Sequence, residues 1–497
     1  MTQFAMSRFL RSTALALFAS TLGFGQTVAP GPKLTLDECI AQALEQNFSL
    51  QIQRYSSDTA AAAVAIADSD YDPNFNVVAR RATTQQAQPG STLDGVTIEG
   101  PRSETGSLRA GASQKITTGA TVRLSTNLLR AKTNSRNSLV NPAYDSDVSV
   151  SVTQPLLKGF GSEVNKASIL RARLGLERAG LDFHGAVLDV VRNVETAYYN
   201  LAFAREQLAV RLFSRDVAQK LLDENQAKKD TGVATDLDVL QAQVGVANAD
   251  RNVLLAQQRV SDREDALNNL IGRFGMNQTL GTIDLGESIV PNVSFDRSYQ
   301  LARENRPDYA ASLLTIEQLR LDAQTAKSNR KPQLDLGAGL GLNSKEGSLG
   351  DSTSNVWNGE GYSWQVDLTL NVPWGFREEK ARLAQAMALL SREETRLQQL
   401  EQNILVDVRS AIRAVETNGE SLRISQLATE LSEDQYSLEK ARFDAGLSTF
   451  RRVQEAQEDL DNARVSEIQA AVNLRIAQSD LARLEGSSLE RYHIELE

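Results

Sequence analysis

Apolar residues recur at Leu383, Met387, Leu390, Leu397, Leu400, Ile404, Val408, Ala411, Val415 and Leu422, in steps of three, four and seven with charged residues between. That spacing places them on one packed seam of an α-helix. The seam predicts a helix over about 379–443, roughly 95 Å long at 1.5 Å per residue, and a second over about 163–229 of roughly 100 Å. Neither length fits inside a globular domain. The eleven prolines agree, because all of them fall outside 156–290 and 374–497. Proline lacks the N–H that a helix interior needs and clashes with the preceding turn.

A different period appears between these stretches. In 333–342, Leu334, Leu336, Ala338, Leu340 and Leu342 alternate with Asp335, Gly337, Gly339 and Gly341. In 363–371, Trp364, Val366, Leu368 and Leu370 alternate with Ser363, Gln365, Asp367, Thr369 and Asn371. Both predict strands with one apolar and one polar face. Weaker alternation marks 74–86, 107–116, 120–130 and 147–153. A soluble sandwich would need more strands than the second half holds, whereas a barrel shared between chains needs only a few from each.

The chain also repeats itself. Asp37, Ala43, Glu45 and Pro73 match Asp296, Ala302, Glu304 and Pro332 at one constant offset. At a second offset, Ala227, Asp230, Gly232, Thr235, Val239, Ala242 and Gln243 match Ala441, Asp444, Gly446, Thr449, Val453, Ala456 and Gln457. Two structural repeats follow. The first, 26–290, runs through a short helix, strands within about 74–153, a long helix, a tip turn at 230–236 and a return helix. The second, 291–497, has strands within about 333–371 and a tip turn at 444–449. Its strand region is about half as long as the first, so the first repeat carries an extra hairpin near 107–130. Four strands in the first half and two in the second are both even, which keeps all the helices on one side of a membrane.

Arg8 and Arg11 precede the apolar stretch 12–24, which ends at Gly25, Gln26 and Thr27. This predicts an export signal over 1–25, too short to span a bilayer as a helix. No later window approaches 18 consecutive apolar residues, a criterion to which barrel strands are blind. A net charge of -10 without a long basic run disfavours nucleic acid. One cysteine, Cys39, and two histidines cannot assemble a zinc set or an internal disulfide. His184 lies among Phe183, Val187 and Leu188, His493 lies in the tail, and neither has a second histidine near it in sequence. No cofactor, metal or catalytic constellation is expected, and acid pairs such as Asp236 with Asp238 lack a pocket-forming fold around them.

The organisation resembles the TolC family of outer-membrane efflux proteins over essentially the whole mature chain. The resemblance rests on the leading helix LTLDECIAQALEQNFSLQI, the strand exit SVTQPLLKGFG, the helix RNVETAYYNLA, the segment RPDYAASLLTIEQLRLDAQTAKSNRKPQLDLGAGLG and the two glycine-bearing tips, in this order and duplicated. It implies an α+β membrane protein: a homotrimer closing one β-barrel in outer-membrane lipid, continued into the periplasm by a long α-helical barrel. Its implied role is the passive exit duct of a tripartite efflux or type I secretion system, served by an inner-membrane pump and a periplasmic adaptor. The adaptor would grip the tips at Gly232, Val233, Gly446 and Leu447. The family usually contributes four strands per chain, so the extra hairpin is a departure that leaves barrel size open.

Local chemistry offers competing roles for the same residues. Both tip glycines serve equally as left-handed helix ends, and Asp238, three residues after Thr235, is placed as a capping-box acid. Where many relatives carry acids at the constriction, this chain has Arg452 in place of one, beside Arg451, and keeps Glu455. With Asp236 and Asp238 these are candidate gate charges, against the alternative of a solvated helix face. Trp364 and Trp374 are candidate membrane-interface aromatics. A strand from one to the other spans roughly 33 Å, or roughly 24 Å of membrane at a tilt near 45°. Two other readings stay open at this point: a periplasmic coiled-coil scaffold or adaptor without a pore, and an exported hydrolase on a helical stalk.

Overall fold

The computed structural model describes residues 34–494, apart from 88–91, 94–95, 98–99, 136, 233, 274–279, 284–290, 292 and 360. The expected export signal over 1–25 lies outside the described residues, as does Val233.

The leading segment forms two helices rather than one, α1 (Leu36–Gln46) and α2 (Phe48–Asp68). Thr35 and Glu38 make a capping box at the start of α1. Asn47 separates the two in an extended conformation, with its Oδ1 accepting from the Ser49 N–H at 2.9 Å and its Nδ2 donating to the Leu270 carbonyl at 2.9 Å. Arg306 breaks α6 (Phe295–Asn305) from α7 (Pro307–Asn329) in the same way, ahead of a proline suited to a first helical turn.

Two helices dominate. After the short α3 (Ser162–Asn165), α4 (Ala167–Asp230) runs for 64 residues and returns as α5 (Asp236–Leu270). Later, α9 (Arg377–Asp444) runs for 68 residues and returns as α10 (Phe450–Glu485), followed by α11 (Ser488–Arg491). At 1.5 Å per residue, α4 and α9 are about 96 and 102 Å long. The core sits where the short helices cross them. One cluster joins Ile40 and Leu50 to Val187, Val191, Val194 and Leu201, and a second joins Ala302 to Ile404, Val408, Val415 and Leu474. Arg192–Asp480 at 2.6 Å and an Arg483–Asp189 pair tie α4 to α10. No helix among the described residues is long and apolar enough to cross a membrane.

The strands are β1 (Asn74–Gln85), β2 (Thr92–Leu93), β3 (Val96–Thr97), β4 (Arg102–Lys115), β5 (Thr121–Thr133), β6 (Ala143–Pro155), β7 (Gln333–Glu346) and β8 (Gly361–Asn371). A short helix, α8 (Leu349–Asn355), lies in the connection between the last two. β2 and β3 pair as a small separate hairpin, and the other six form one antiparallel sheet in the order β1-β4-β5-β6-β7-β8. Sequence alternation placed the edges of these strands too tightly, since most of them run several residues further. In the opposite direction, β8 stops at Asn371 and does not reach Trp374. Pro373, which has no N–H for a ladder, follows two residues after the strand ends.

Register shows what the sheet offers on each face. Trp364, Leu340, Val150, Leu124, Ala112 and Phe75 stand across from one another in a single row, and Leu368 with Leu336 and Val366 with Ala338 extend it along the strands. This face is apolar and exposed: Trp364, Val366, Leu340 and Phe75 are 65–76% accessible. The other face is polar. Ser125 faces Ser149 at 2.8 Å and Asn127 donates to Asp147 at 2.9 Å. Gly337 leaves room for the Asp367 carboxylate, into which a β-carbon at that position would collide.

Candidate functional site

The tip of the helical portion is built from two helix-to-helix turns. In the second, α9 ends on Ala445 and the chain passes through Gly446 at φ +75°. Leu447 N–H donates to the Arg442 carbonyl at 2.8 Å and Gly446 N–H to that of Phe443 at 3.0 Å. These two bonds satisfy carbonyls that a helix end leaves free, and the left-handed glycine makes them geometrically possible. Gly232 repeats the conformation at φ +75°, with its N–H on the Lys229 carbonyl at 2.9 Å. No atom lies within 4 Å of a β-carbon built on either glycine, so both also present open surface.

The tip charges divide into distinct roles. Asp238 accepts from Thr235 N–H at 2.8 Å and from its hydroxyl at 2.6 Å, while Thr235 Oγ1 accepts from Asp238 N–H at 3.3 Å. These hydrogen bonds from Thr235, the hydroxyl first and the backbone second, hold the Asp238 carboxyl below its ordinary range. Asp236 pairs with Lys229 across the turn at 2.6 Å, and that contact raises the lysine above its usual value. Arg451 pairs with Glu455 one turn on, at 2.9 Å. Arg452 is exposed and has no ion-pair partner among the described residues. Within one protomer no arginine of the second tip meets Asp236 or Asp238.

Sequence reading passed over the groups that join the two hairpins. The Lys228 ammonium lies 3.9 Å from the ring centre of Phe443. Phe450, the first residue of α10, is buried against Leu221 of α4 and Ala242 of α5. Further up, Asp461 on α10 is buried beside Ser214 of α4, whose hydroxyl donates to it, and accepts from Gln457 Nε2 at 2.9 Å. Burial pushes its carboxyl above the ordinary range, and the bonds from Ser214 and Gln457 offset part of that push. Sequence offered no signal for Asp461, one of several acids in the mostly polar stretch from Gln457 to Asn462, because its partner lies in the other half of the chain.

At the other end, Trp364 projects from the apolar face of β8. Trp374 is fully exposed in the turn beyond it, and Trp357, near the opposite end of the strand, is also exposed. His184 and His493, remote in sequence, line one cavity of about 1010 Å³ together with Arg54, Glu304 and Arg306. No group of three or more metal-ligating side chains occurs among the described residues. Cys39 is fully buried and its thiol is pushed up to about 12, chiefly by desolvation.

A two-faced sheet set on paired helices of about 100 Å is the arrangement that the family comparison addresses. Residues 121–273 and 298–487 match the model of the outer membrane efflux protein family. The chain belongs to that family. It is an outer-membrane efflux protein with a large periplasmic portion, and a duct of this kind rather than an enzyme. Among its relatives, the pyoverdine export outer membrane protein OpmQ of Pseudomonas putida is 24% identical over 342 residues, 67% of this chain and 69% of that protein. Outer membrane protein OprJ of Pseudomonas aeruginosa is 24% identical over 61% of this chain and 62% of its own length. In structure, the CmeC outer membrane channel of Campylobacter jejuni superposes with a TM-score of 0.67 at 18% identity, over 91% of this chain and 86% of that one.

Proposed function

We propose that three copies of this chain assemble into one continuous duct, which carries solutes passively from an inner-membrane pump and its periplasmic adaptor to the exterior. The observation that carries the reading is the single sheet, apolar on one face, polar on the other and open at both edges, set on helices of about 100 Å. An open sheet edge has unpaired N–H and C=O groups that hydrocarbon does not tolerate, so the edges must meet other copies. The helices carry the same demand. On the flank formed by α9, Val406, Leu427, Leu431 and Leu438 are exposed, and on the opposite flank so are Leu240, Val244 and Leu254 of α5. Side-by-side packing of copies covers both stripes. Two structural repeats per chain supply the alternation of long and returning helices around such a ring.

In this reading the tip is both the gate and the docking end. Gly232, Gly446 and Leu447 present open surface for a helical-hairpin adaptor, with Val233 as the further docking residue expected from sequence, and Leu447 is 72% exposed. Of the gate charges, Arg452 is the one not engaged inside its own protomer, and it is free to face acids of a neighbouring copy. Asp236, Arg451 and Glu455 first serve pairs of their own, and Asp238 its helix cap. Trp364, Trp374 and Trp357 lie at the two membrane interfaces, where an aromatic ring is stable with one side wet. The energy and the choice of cargo come from the pump. A scaffold without a pore leaves the two-faced sheet without a purpose. Fractionation tests the reading: the full chain should stay with the outer membrane until detergent is added and show heat-modifiable gel mobility. Complete extraction without detergent would contradict it.

A further inference from the structure

We infer that the extra hairpin β4–β5 is part of the membrane wall, so that each copy contributes six strands and three copies close an eighteen-stranded barrel edge to edge, β8 of one on β1 of the next. The inference rests on the trimeric reading above and departs from four strands per chain.

Three independent features support it. The hairpin lies inside the sheet and not at its rim. β1 pairs with β4 along the whole length of β1 and β5 pairs with β6 from Thr121–Thr153 to Ala131–Ala143, so moving the hairpin out of the wall would leave β1 without a partner and β6 with one on one side only. Its two faces continue those of its neighbours. Leu108, Ala112 and Leu124 lie on the apolar side, in register with Phe75 and Val150, while Arg109, Ser125 and Asn127 lie on the polar side. A projection into water or into the lumen has no need of an apolar face in this register. The base of the hairpin is also fixed at the helical end. Its turn passes through Gly119 at φ +96°, where a β-carbon would stand 2.5 Å from the Gly159 carbonyl oxygen. The Thr118 carbonyl accepts from Gly161 N–H at 3.1 Å.

The partner at each edge is a second copy of this chain. β1 ascends from the helical end and β8 returns to it, so copies set side by side bring these edges together antiparallel, with both apolar faces outward. At a strand spacing of about 4.8 Å and a tilt near 40°, eighteen strands give a barrel roughly 36 Å across, against roughly 24 Å for twelve. The outer mouth is then wider than a four-strand chain builds, and the tip alone sets the narrowest passage.

Nitroxide labels on the full-length trimer in lipid vesicles test this, with cysteines introduced singly at Leu108, Leu124, Ser125 and Leu368; the native Cys39 is buried and stays unlabelled. Positions 108, 124 and 368 should be accessible to oxygen and closed to a water-soluble nickel chelate, with the reverse at 125. Water exposure at 108 and 124 with lipid at 368 would overturn the eighteen-stranded wall and leave the channel reading standing. Water exposure at 368 as well would overturn both.

Discussion

The Lys228 ammonium sits 3.9 Å above the ring of Phe443, so the last turn of α4 is clasped to the last turn of α9 just above the two tips. Such a contact contributes on the order of 1 kcal/mol when half-buried. Replacing Lys228 with Met keeps the apolar stem and removes the charge. It should lower amide-exchange protection in the last turn of α9, and a double-mutant cycle with Phe443→Leu should recover a coupling of about 0.5–1 kcal/mol. A coupling of zero would mean the clasp adds nothing.

The cap on α5 predicts a local effect. Thr235→Ala removes the hydroxyl that both accepts from Asp238 N–H and donates to its carboxylate. It should cost about 1 kcal/mol, seen as faster amide exchange in the first turn of α5 with the middle of that helix unchanged. Asp238→Asn keeps an acceptor and should cost less.

Asp461 gives a pH dependence of determined sign. Burial raises its folded pKa above the unfolded value, so its proton is held more tightly in the packed state. Its contribution is therefore complete at pH below the ordinary aspartate value and is lost as pH rises through the raised one. Around it, Ser214 and Gln457 donate hydrogen bonds, and the charges of Arg211 and Arg464 oppose the rise. Amide exchange in α10 around Asp461 should quicken as pH climbs through that window, and Asp461→Asn should flatten the profile. A profile unchanged by the substitution would rule the carboxyl out as its source.

In the proposed trimer neighbouring copies cover the helical flanks, which makes the exposed stripes sensitive to charge. Leu431→Lys on α9 or Leu240→Asp on α5 should leave the secondary structure intact and abolish the trimer in detergent, as read by light scattering. A buried unpaired charge costs several kcal/mol in each of three interfaces. A trimer that survives both substitutions would mean that copies meet along other faces.

The long helices were legible because two physical signals coincide in them, the three-four spacing of apolar residues and the absence of proline. Strands β7 and β8 were legible because their alternation is unbroken from Leu334 to Leu342 and from Trp364 to Leu370. The hairpin β4–β5 was harder to read. Gly106, Ser107, Gly111 and Ser113 dilute β4, and Leu128 beside Leu129 blurs the period of β5. Its place within the sheet is a question of strand partners, which the register shows and local sequence does not. At the tips, the glycines and the Thr235–Asp238 spacing are local signals visible in sequence. The clasp of Lys228 on Phe443 and the Ser214–Asp461 bond join the two halves of the chain, and no local pattern announces them. The split of the leading helix at Asn47 was missed although Asn47 is a local N-cap type, and only one of the two bonds that hold it, that to the Leu270 carbonyl, is remote.

Arg452 and the duct meet in one measurement, the single-channel conductance of the purified trimer in planar bilayers, recorded for the native chain and for Arg452→Glu. The native protein should give discrete current steps of one size class, showing a water-filled passage through the tip. The variant should give larger steps and a shift toward cations, because a ring of three arginines becomes a ring of three acids. Steps identical in size and ion preference would remove Arg452 from the passage, and inserted protein that gives no steps in either form would contradict the account of a conducting duct.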